Sequence, residues 1–340
     1  MANSGNGVVG ASTVAISGAA GFLGAHLVRG FDARGVRVLP LVRVLEGRSP
    51  AGARLLEDAC ADPSMLAGVD AFVHAAVRVR HGIDAPAANV ANVDEVERAM
   101  QACAAAGVRR FVFVSCVGVY GFPAHLPVTE DHPYAPRSAH FGMKVEAEMR
   151  ARRVARERPI ELTIVRPALM YGPGDRDGML PRMAALIRSS TYRMIGSGDN
   201  VLHHAHVDDV VEGIWLAATR GEAAGEHFIL AGRETTTLAR LSALVARAMG
   251  RDLPRGHIPI AVARAVATAV DAAEQYGVAF AKRAPPIDHE KLDVMTLSVQ
   301  FDVDKARRLL GFSPSVDYED GVMRTLRGQW PALARAGADP

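Results

Sequence analysis

A glycine-rich turn directly after the first apolar run constrains this chain more than any other feature. The run at 13–17 has the length and composition of a short buried strand, and Gly18-Ala-Ala-Gly21-Phe-Leu-Gly24 follows it and begins a helical pattern. Glycines at these places allow a tight turn and a close approach of the backbone to a ligand. The first turn of a helix also offers N–H groups to a pyrophosphate. This order of strand, turn and helix therefore predicts a dinucleotide-binding site.

Apolar runs alternate with helical patterns through the first half of the chain, which predicts an α/β fold. Strands are expected at 13–17, 36–42, 54–56, 71–74, 110–115 and 162–165, and helices at 22–33, 90–106 and 138–156. Stacked βαβ units of this kind form a Rossmann-type doubly wound parallel sheet. Further helices are expected at 207–219, 238–249 and 303–310. The sequence thus predicts a flexible tail at 1–11, a dinucleotide-binding Rossmann domain at 12–167, and a smaller C-terminal α/β substrate lobe at 168–335 that is interleaved with the first domain.

Composition restricts the class of partner. Of the 340 residues 49% are hydrophobic, and 39 Lys plus Arg balance 37 Asp plus Glu to a formal net charge of +2. This balance gives no electrostatic basis for binding nucleic acid, so a small molecule is the expected partner. The late apolar stretch at 260–281 contains charged residues, and no membrane span is expected. Cys60, Cys103 and Cys116 lack metal or disulfide spacing, which indicates a reducing, cytoplasmic location.

A histidine-rich segment near position 205 is the nearest approach to a metal pattern. His203 and His204 are adjacent and point apart in a strand, and no cysteine or HExxH motif accompanies them. No metal is therefore expected. His206 and Asp209 are expected to cap or steady the start of the next helix, and His203 or His204 to face a substrate.

Further short motifs follow the glycine turn along the chain. They are Asp58, His74-Ala75-Ala76, Asn89, Ser115 with Val119-Tyr120-Gly121, Arg166-Pro167 with Tyr171-Gly172-Pro173-Gly174, His206-Val207-Asp208-Asp209, and Asp304-Lys305-Ala306-Arg307. In order and spacing they resemble the extended short-chain dehydrogenase/reductase superfamily, in particular its NAD-dependent epimerase/dehydratase members and the 3β-hydroxysteroid dehydrogenase-like branch. The resemblance covers nearly the whole chain.

The resemblance implies a cofactor site. The pyrophosphate contacts implied by it are Gly18, Gly21, Phe22, Leu23 and Gly24; the adenine contacts are Asp58 and Ala59; the contacts to the rest of the cofactor are Ala75, Ala76, Val77, Ser115, Lys144, Pro167 and Leu169. Arg43 directly follows the second predicted strand, where NAD-binding proteins usually carry an acid. Its planar guanidinium can pair with a 2′-phosphate, which favours NADP(H) over NAD(H), with a solvated Arg43 as the alternative.

The catalytic residues depart from the superfamily pattern. Members normally use Ser or Thr together with Tyr and Lys in a YxxxK motif, where the lysine charge lowers the pKa of the phenol. The corresponding segment here is His140-Phe-Gly-Met-Lys144, and Cys116 stands at the Ser/Thr place. Imidazole titrates near neutrality, so His140 is the candidate proton carrier beside Lys144. Cys116 is a weaker hydrogen-bond donor than a hydroxyl.

These residues are compatible with several functions. The chain is expected to be an atypical NAD(P)(H)-dependent oxidoreductase for a hydrophobic ketone, alcohol or conjugated ring, with the proton carried by His140 or handled by the substrate itself. The alternatives are a catalytically silent NAD(P)-binding sensor or scaffold and a nucleotide-sugar epimerase or dehydratase. Leu169 and Leu202 stand where nucleotide-sugar enzymes typically have Asn and Arg, which favours an uncharged substrate.

Two expectations concern helices. The apolar stripe of a late helix either lines the substrate pocket or faces the core; its members are Ile260, Val262, Val266, Val270 and Tyr276. A homodimer that pairs through two helices, including the one that carries Lys144, is implied by the resemblance.

Overall fold

A computed structural model of the chain describes residues 11–47, 49–78, 85–254, 256–275 and 289–329. Residues 1–10 of the predicted tail, the predicted pocket residue Tyr276 and the end of the predicted second lobe at 330–335 lie outside the described residues.

Short strands and amphipathic helices alternate along the described ranges. The strands are β1 (Thr13–Ser17), β2 (Arg37–Val42), β3 (Arg54–Leu55), β4 (Ala71–His74), β5 (Arg110–Val114), β6 (Glu161–Pro167), β7 (Leu169–Tyr171), β8 (Met194–Ile195), β9 (Val201–Leu202), β10 (His204–His206), β11 (His227–Leu230), β12 (Thr236–Thr237) and β13 (His257–Ile258). The helices are α1 (Phe22–Asp32), α2 (Leu56–Ala61), α3 (Ala85–Ala106), α4 (Ala139–Glu157), α5 (Met179–Arg188), α6 (Val207–Thr219), α7 (Leu238–Ala248), α8 (Ile260–Gln275), α9 (His289–Thr296), α10 (Asp304–Leu310) and α11 (Tyr318–Gln329).

Seven parallel strands form the main sheet in the order β11-β6-β5-β4-β1-β2-β3. The central strands β1 and β4 are buried along their whole length because helices cover both faces of a parallel sheet. The chain runs from β1 outward to β3 and then returns to β4 on the other side of β1. This reversal opens a crevice at the carboxyl ends of β1 and β4, where open α/β sheets bind ligands. The predicted Rossmann-type fold is confirmed.

Three of the four apolar clusters among the described residues hold the main sheet and most helices together. One lies on the face of the sheet covered by α1, α6 and α10. Another lies on the opposite face beneath α2, α3 and α4. A third joins α5, α7 and α11 in the second half of the chain. Small two-stranded pairs, β7 with β10, β8 with β13 and β9 with β12, lie outside the main sheet and contribute Tyr171, Met194 and Leu202 to this third cluster.

The predicted apolar stripe of α8 is wrong in part. Ile260, Val262 and Val266 are 39%, 52% and 46% exposed. The buried face instead presents Ala263, Ala267 and Val270, and the two alanines pack against Ile195 and Leu292. Small alanines at helical spacing let α8 approach its neighbours closely, and this turns the larger residues outward. Within the described ranges, no helix has the length and apolar character that crossing a bilayer requires.

Candidate cofactor and substrate site

The glycine turn after β1 packs so closely that side chains are excluded. Gly18 has φ +73°, and a Cβ added to it would lie 2.8 Å from the Ala76 nitrogen. A Cβ added to Gly24 would lie 2.0 Å from the Gly18 carbonyl oxygen. The turn therefore lies in direct backbone contact with both the first turn of α1 and the segment after β4, as a dinucleotide cradle requires.

The first turn of α1 is available to an anion. Gly21 is its N-cap and has no side-chain capping hydrogen bond, and no acidic residue lies in the turn. The N–H groups of this turn have no intrahelical acceptor, and the helix dipole adds a positive partial charge there. The chemistry at Phe22, Leu23 and Gly24 thus fits a pyrophosphate.

The segment after β4 is fixed on the other side of the crevice. Ala75 donates its N–H to the Ser17 carbonyl at 3.3 Å, and Ala76 donates to Ser17 Oγ at 3.3 Å. Ser17 Oγ also lies 3.1 Å from Nδ1 of His74. Burial lowers the pKa of His74 to about 3, so the ring is neutral at physiological pH. This neutral network holds the predicted cofactor contacts Ala75 and Ala76 in place.

The far end of the crevice carries Arg43, directly after β2. Its Nη2 donates to the Val77 carbonyl at 2.6 Å, which joins the ends of β2 and β4. Asp58 is exposed in the first turn of α2, whereas Ala59 is fully buried in the core beneath that helix. The adenine contacts of Asp58 and Ala59 stay predictions.

Lys144 and Cys116 lie together at the opposite end of the site. Lys144 Nζ donates to the Val114 carbonyl at 2.9 Å and lies 5.2 Å from the centre of the Phe113 ring. Burial lowers the pKa of Lys144. Burial also raises the pKa of the Cys116 thiol, an effect that the Lys144 charge partly offsets. The structure therefore brings these two predicted residues into electrostatic contact.

His140 lies one helical turn before Lys144, at the start of α4. Ser138 caps this helix by accepting the Phe141 N–H at 3.3 Å. The ring centre of His140 is 5.6 Å from that of Phe141. Among the described residues, Phe141 lines the neighbouring cavity and His140 does not. The proton-carrying role of His140 stays a prediction.

That cavity has a volume of about 240 Å³ and is mainly apolar. The predicted residues Ser115, Cys116, Pro167 and Leu169 line it, and so does Leu202. The structure thus brings both leucines that stand at the sugar-nucleotide positions into one cavity. Its further apolar wall includes Val117, Phe122, Met170, Val299 and Phe301.

The rim of this cavity carries an ion pair that the sequence did not indicate. Nε of Arg137 lies 3.3 Å from Oδ2 of Asp293, and both residues line the cavity. The pair joins α9 to the segment that precedes α4. Nothing in the spacing of residues 137 and 293 signals this contact, because the two are separated by half the chain.

The histidines of the 203–206 segment have partners within the protein. His203 Nε2 lies 2.9 Å from the Gly232 carbonyl oxygen, and its Nδ1 accepts the Phe301 N–H at 3.1 Å. His204 Nδ1 lies 2.7 Å from the Tyr318 hydroxyl. Burial lowers the pKa of both rings, that of His204 to about 4. His203 and His204 both line the cavity.

The same segment steadies the next helix as predicted. His206 Nδ1 accepts the Asp208 N–H at 3.2 Å at the start of α6. Asp209 accepts the Ser315 N–H at 2.8 Å, which anchors the chain that leads into α11. Among the described residues, no group of three or more His, Cys, Asp or Glu side chains is arranged to hold a metal ion.

A buried polar network that was not predicted from the sequence lies beneath the site. Arg166 on β6 donates to Glu148 on α4 through Nε at 3.0 Å and Nη2 at 2.6 Å, and both side chains are almost fully buried. Arg166 Nη2 also donates to the Tyr134 hydroxyl at 2.8 Å. Glu148 lies one helical turn after Lys144, and this spacing was the feature of the sequence that placed a carboxylate on the same face of the helix as Lys144. The network fixes α4, and with it Lys144, against the sheet.

The topology and the glycine turn together define a Rossmann-type dinucleotide-binding protein. Residues 14–231 match the NAD dependent epimerase/dehydratase family, and the chain belongs to this family. The predicted membership of the extended short-chain dehydrogenase/reductase superfamily is confirmed.

The relatives include ketone reductases and sugar-nucleotide enzymes. The chain is 30% identical over 335 residues to the 4-hydroxy-2-methyl-3-oxo-4-farnesyl-3,4-dihydroquinoline-1-oxide ketoreductase of Stigmatella aurantiaca, covering 93% of this chain and 96% of that one. It is 26% identical over 326 residues to the 2-alkyl-3-oxoalkanoate reductase of Stenotrophomonas maltophilia (strain K279a), covering 92% and 97%. A solved structure of the dTDP-glucose 4,6-dehydratase DesIV from Streptomyces venezuelae with NAD bound matches with a TM-score of 0.73 and 26% identity, covering 94% and 99%.

Proposed function

We propose that the chain is an NAD(P)(H)-dependent oxidoreductase that acts on an uncharged hydrophobic ketone, alcohol or conjugated ring. The observation that carries this proposal is the apolar cavity beside Cys116 and Pro167. A nucleotide sugar would bring a diphosphate, which needs cations and hydrogen-bond donors. The arginine of the described cavity wall, Arg137, is already paired with Asp293. The names of the two reductase relatives support a ketone substrate.

The site residues are proposed to divide the work as follows. When bound, the nicotinamide supplies or accepts the hydride. The glycine turn holds the pyrophosphate, Lys144 binds the nicotinamide ribose, and Ser115, Pro167 and Leu169 border the nicotinamide end. The Cys116 thiol donates a hydrogen bond to the substrate oxygen. His140 gives or takes the proton, because imidazole changes its charge near neutrality.

The finer assignments are also proposals. NADP(H) is favoured over NAD(H) because the guanidinium of Arg43 stands at the end of β2, where a 2′-phosphate is recognised. The three cysteines of the chain are free thiols in the described structure, which supports a reducing, cytoplasmic compartment. A homodimer is the proposed assembly.

The test is hydride transfer between NADPH or NADH and a panel that contains long-chain and aryl methyl ketones and UDP-glucose. Turnover of apolar ketones without turnover of the nucleotide sugar is the expected result. Selective turnover or epimerisation of UDP-glucose would contradict the proposal.

A variant at position 140 tests the proton carrier. His140→Phe is expected to lower kcat by roughly 10²–10⁴-fold and to leave cofactor affinity near normal, as for the loss of a general acid or base. Lys144→Ala should weaken both turnover and cofactor binding. Wild-type turnover by His140→Phe would show that the substrate or solvent handles the proton.

One observation favours a second candidate, a catalytically silent dinucleotide-binding scaffold. His140 replaces the tyrosine of the superfamily, and among the described residues it is not part of the cavity wall. Tight NAD(P) binding without turnover of any member of the panel would support this candidate over the enzyme.

A further inference from the structure

The short turn after β5 and the first turn of α4 interlock at one position. Gly118 lies in the 3-10 turn Val117–Tyr120, directly after Cys116 and Val117. A Cβ added to Gly118 would lie 2.3 Å from both Cδ1 and Cε1 of Phe141 and 2.6 Å from its Cζ. These distances are far below van der Waals contact, so the ring of Phe141 occupies the space that any side chain at position 118 would need.

The requirement for glycine at position 118 is one of space. Gly18 and Gly121 have φ values of +73° and +64°, in the left-handed region that favours glycine. Gly118 is not among the glycines with positive φ. A residue with a side chain can therefore adopt the backbone of Gly118, and the three atoms nearest to an added Cβ all belong to the ring of Phe141.

Both members of this contact line the apolar cavity. Gly118 and Phe141 are part of its wall together with Cys116, Phe122 and Phe301. Phe141 also directly follows His140, the proposed proton carrier, and its ring is tilted by 60° to the imidazole. The ring thus forms a wall of the cavity beside the proposed reacting groups.

We propose that Phe141 and Gly118 form a matched pair that sets substrate specificity, with the Phe141 ring selecting substrates whose reacting carbonyl or carbinol carbon is attached to a flat aryl or conjugated segment. Aromatic rings in offset or edge-on contact gain roughly 0.5–1.5 kcal/mol beyond the burial of area, which an aliphatic chain cannot supply. This inference rests on the proposed function and names the substrate class of the same site.

The test compares two uncharged ketones, methyl naphthyl ketone and methyl octyl ketone. Their binding is measured by calorimetry to protein saturated with oxidised cofactor, so that no hydride is available for reduction. Phe141→Leu keeps an apolar wall and removes the aromatic face. It is expected to weaken binding of the naphthyl ketone about two- to tenfold and to change the octyl ketone by less than about twofold.

A double-mutant cycle tests the interlock. Gly118→Ala in the wild-type background should displace the Phe141 ring into the cavity and weaken both ketones. In the Phe141→Ala background the clashing ring atoms are gone, and Gly118→Ala should have no further effect. The matched control is Gly142→Ala on the same helix, where an added Cβ meets no atom within 4 Å, and ketone binding should be unchanged. Thermal unfolding and oxidised-cofactor affinity report whether each variant is folded.

The outcomes distinguish failure of the specificity pair from failure of the proposed oxidoreductase function. Equal losses for both ketones in Phe141→Leu, no loss for either, or the same Gly118→Ala effect in both backgrounds would overturn the specificity pair while ketone reduction by the wild type still stands. Absence of both binding and reduction of either ketone in the folded wild type would overturn the proposed function, and the pair with it.

Discussion

Gly21 is the N-cap of α1, where an aspartate has two opposite effects. Its backbone has φ −78°, which any residue adopts, and aspartate is a good N-cap that also suits the helix dipole. A Cβ added to Gly21 would lie 3.2 Å from the Gly18 carbonyl oxygen, and a shift of a few tenths of an ångström relieves this contact, so the fold should tolerate Gly21→Asp. A carboxylate placed where the pyrophosphate approaches should cost several kcal/mol of binding, because like charges are brought together. We expect dinucleotide affinity to fall more than about 100-fold in fluorescence titrations, with an unfolding temperature near that of the wild type.

The matched control for this variant is Gly221→Asp. Gly221 also begins a short helical turn, and a Cβ added there meets no atom within 4 Å. It should bind dinucleotide like the wild type. Undiminished binding by a folded Gly21→Asp protein would place the pyrophosphate elsewhere.

Arg43 bears on the choice of cofactor. Because its guanidinium bonds the Val77 carbonyl, Arg43→Ala should weaken both cofactors slightly by loosening the end of the crevice. NADPH should lose roughly tenfold or more beyond the loss for NADH, because only NADPH has a 2′-phosphate for a charge-assisted hydrogen bond. Titration of both cofactors measures this difference, and Arg43→Lys, which keeps the charge without the fork, should fall between. Equal losses for the two cofactors would remove the preference for NADP(H).

Buried neutral histidines in the second half of the chain make the stability of the fold depend on pH in the acidic range. His204 on β10 has a pKa of about 4, below the ordinary value of 6.5, because burial disfavours its charged form. Between these two values the unfolded chain binds a proton that the folded chain does not. The contribution of His204 to stability is therefore complete above about pH 6.5 and is lost as the pH falls toward 4, with a slope of up to about 1.4 kcal/mol per pH unit.

The variant His204→Phe should reduce this slope by the contribution of one proton in the same pH window, measured by urea unfolding at several pH values. The control is Tyr318→Phe, which removes the same hydrogen bond but keeps the imidazole. It should lower stability and leave the pH slope in place. An unchanged slope in His204→Phe would show that this ring does not titrate on unfolding.

Sequence patterns predict best the strands and helices whose bounds depend mainly on their own residues. The structure reproduces 13–17, 71–74 and 207–219 to the residue as β1, β4 and α6. The edge strand β11 was not anticipated, since its four residues pair with β6 through a contact between distant parts of the chain. The buried face of α8 could not be predicted either. Alanine and valine occur on all sides of this helix, and tertiary contacts with Ile195 and Leu292 determine which side is buried.

At the scale of the molecule, the two halves of the proposed site differ in how far sequence reveals them. The cofactor cradle is encoded locally, by one glycine turn and the ends of neighbouring strands, so Gly18, Gly24 and Ala76 were predicted and meet in the structure. The cavity draws its wall from segments near 118, 140, 168, 203 and 293–301. Contacts such as Arg137 with Asp293 depend on tertiary folding across these separations, and no local spacing signals them.

The outer face of α3 and α4 supports a prediction about assembly. These helices pack against each other, and Val90 on α3 and Met149 on α4 are each 61% exposed. Arg150 and Arg153 on α4 both pair with Glu97 on α3, and both arginines lie within four residues of Met149 along the chain. An apolar centre with a polar rim is the anatomy of a protein interface, and a twofold axis would present the same face of both protomers.

We therefore expect the wild type to sediment as a dimer and Met149→Asp to sediment as a monomer. In a twofold-symmetric interface each substitution occurs twice, so two carboxylates would lose their hydration where apolar side chains were buried, which destabilises the dimer. Leu186→Asp on α5 is the matched control, because Leu186 is also a large exposed side chain, 46% accessible, on a different helix. It should remain dimeric. The glycine turn lies on other elements, and Lys144, on the same helix, is buried whereas Met149 is exposed, so monomeric Met149→Asp should still bind dinucleotide. A dimeric Met149→Asp protein would move the interface to another face of the molecule.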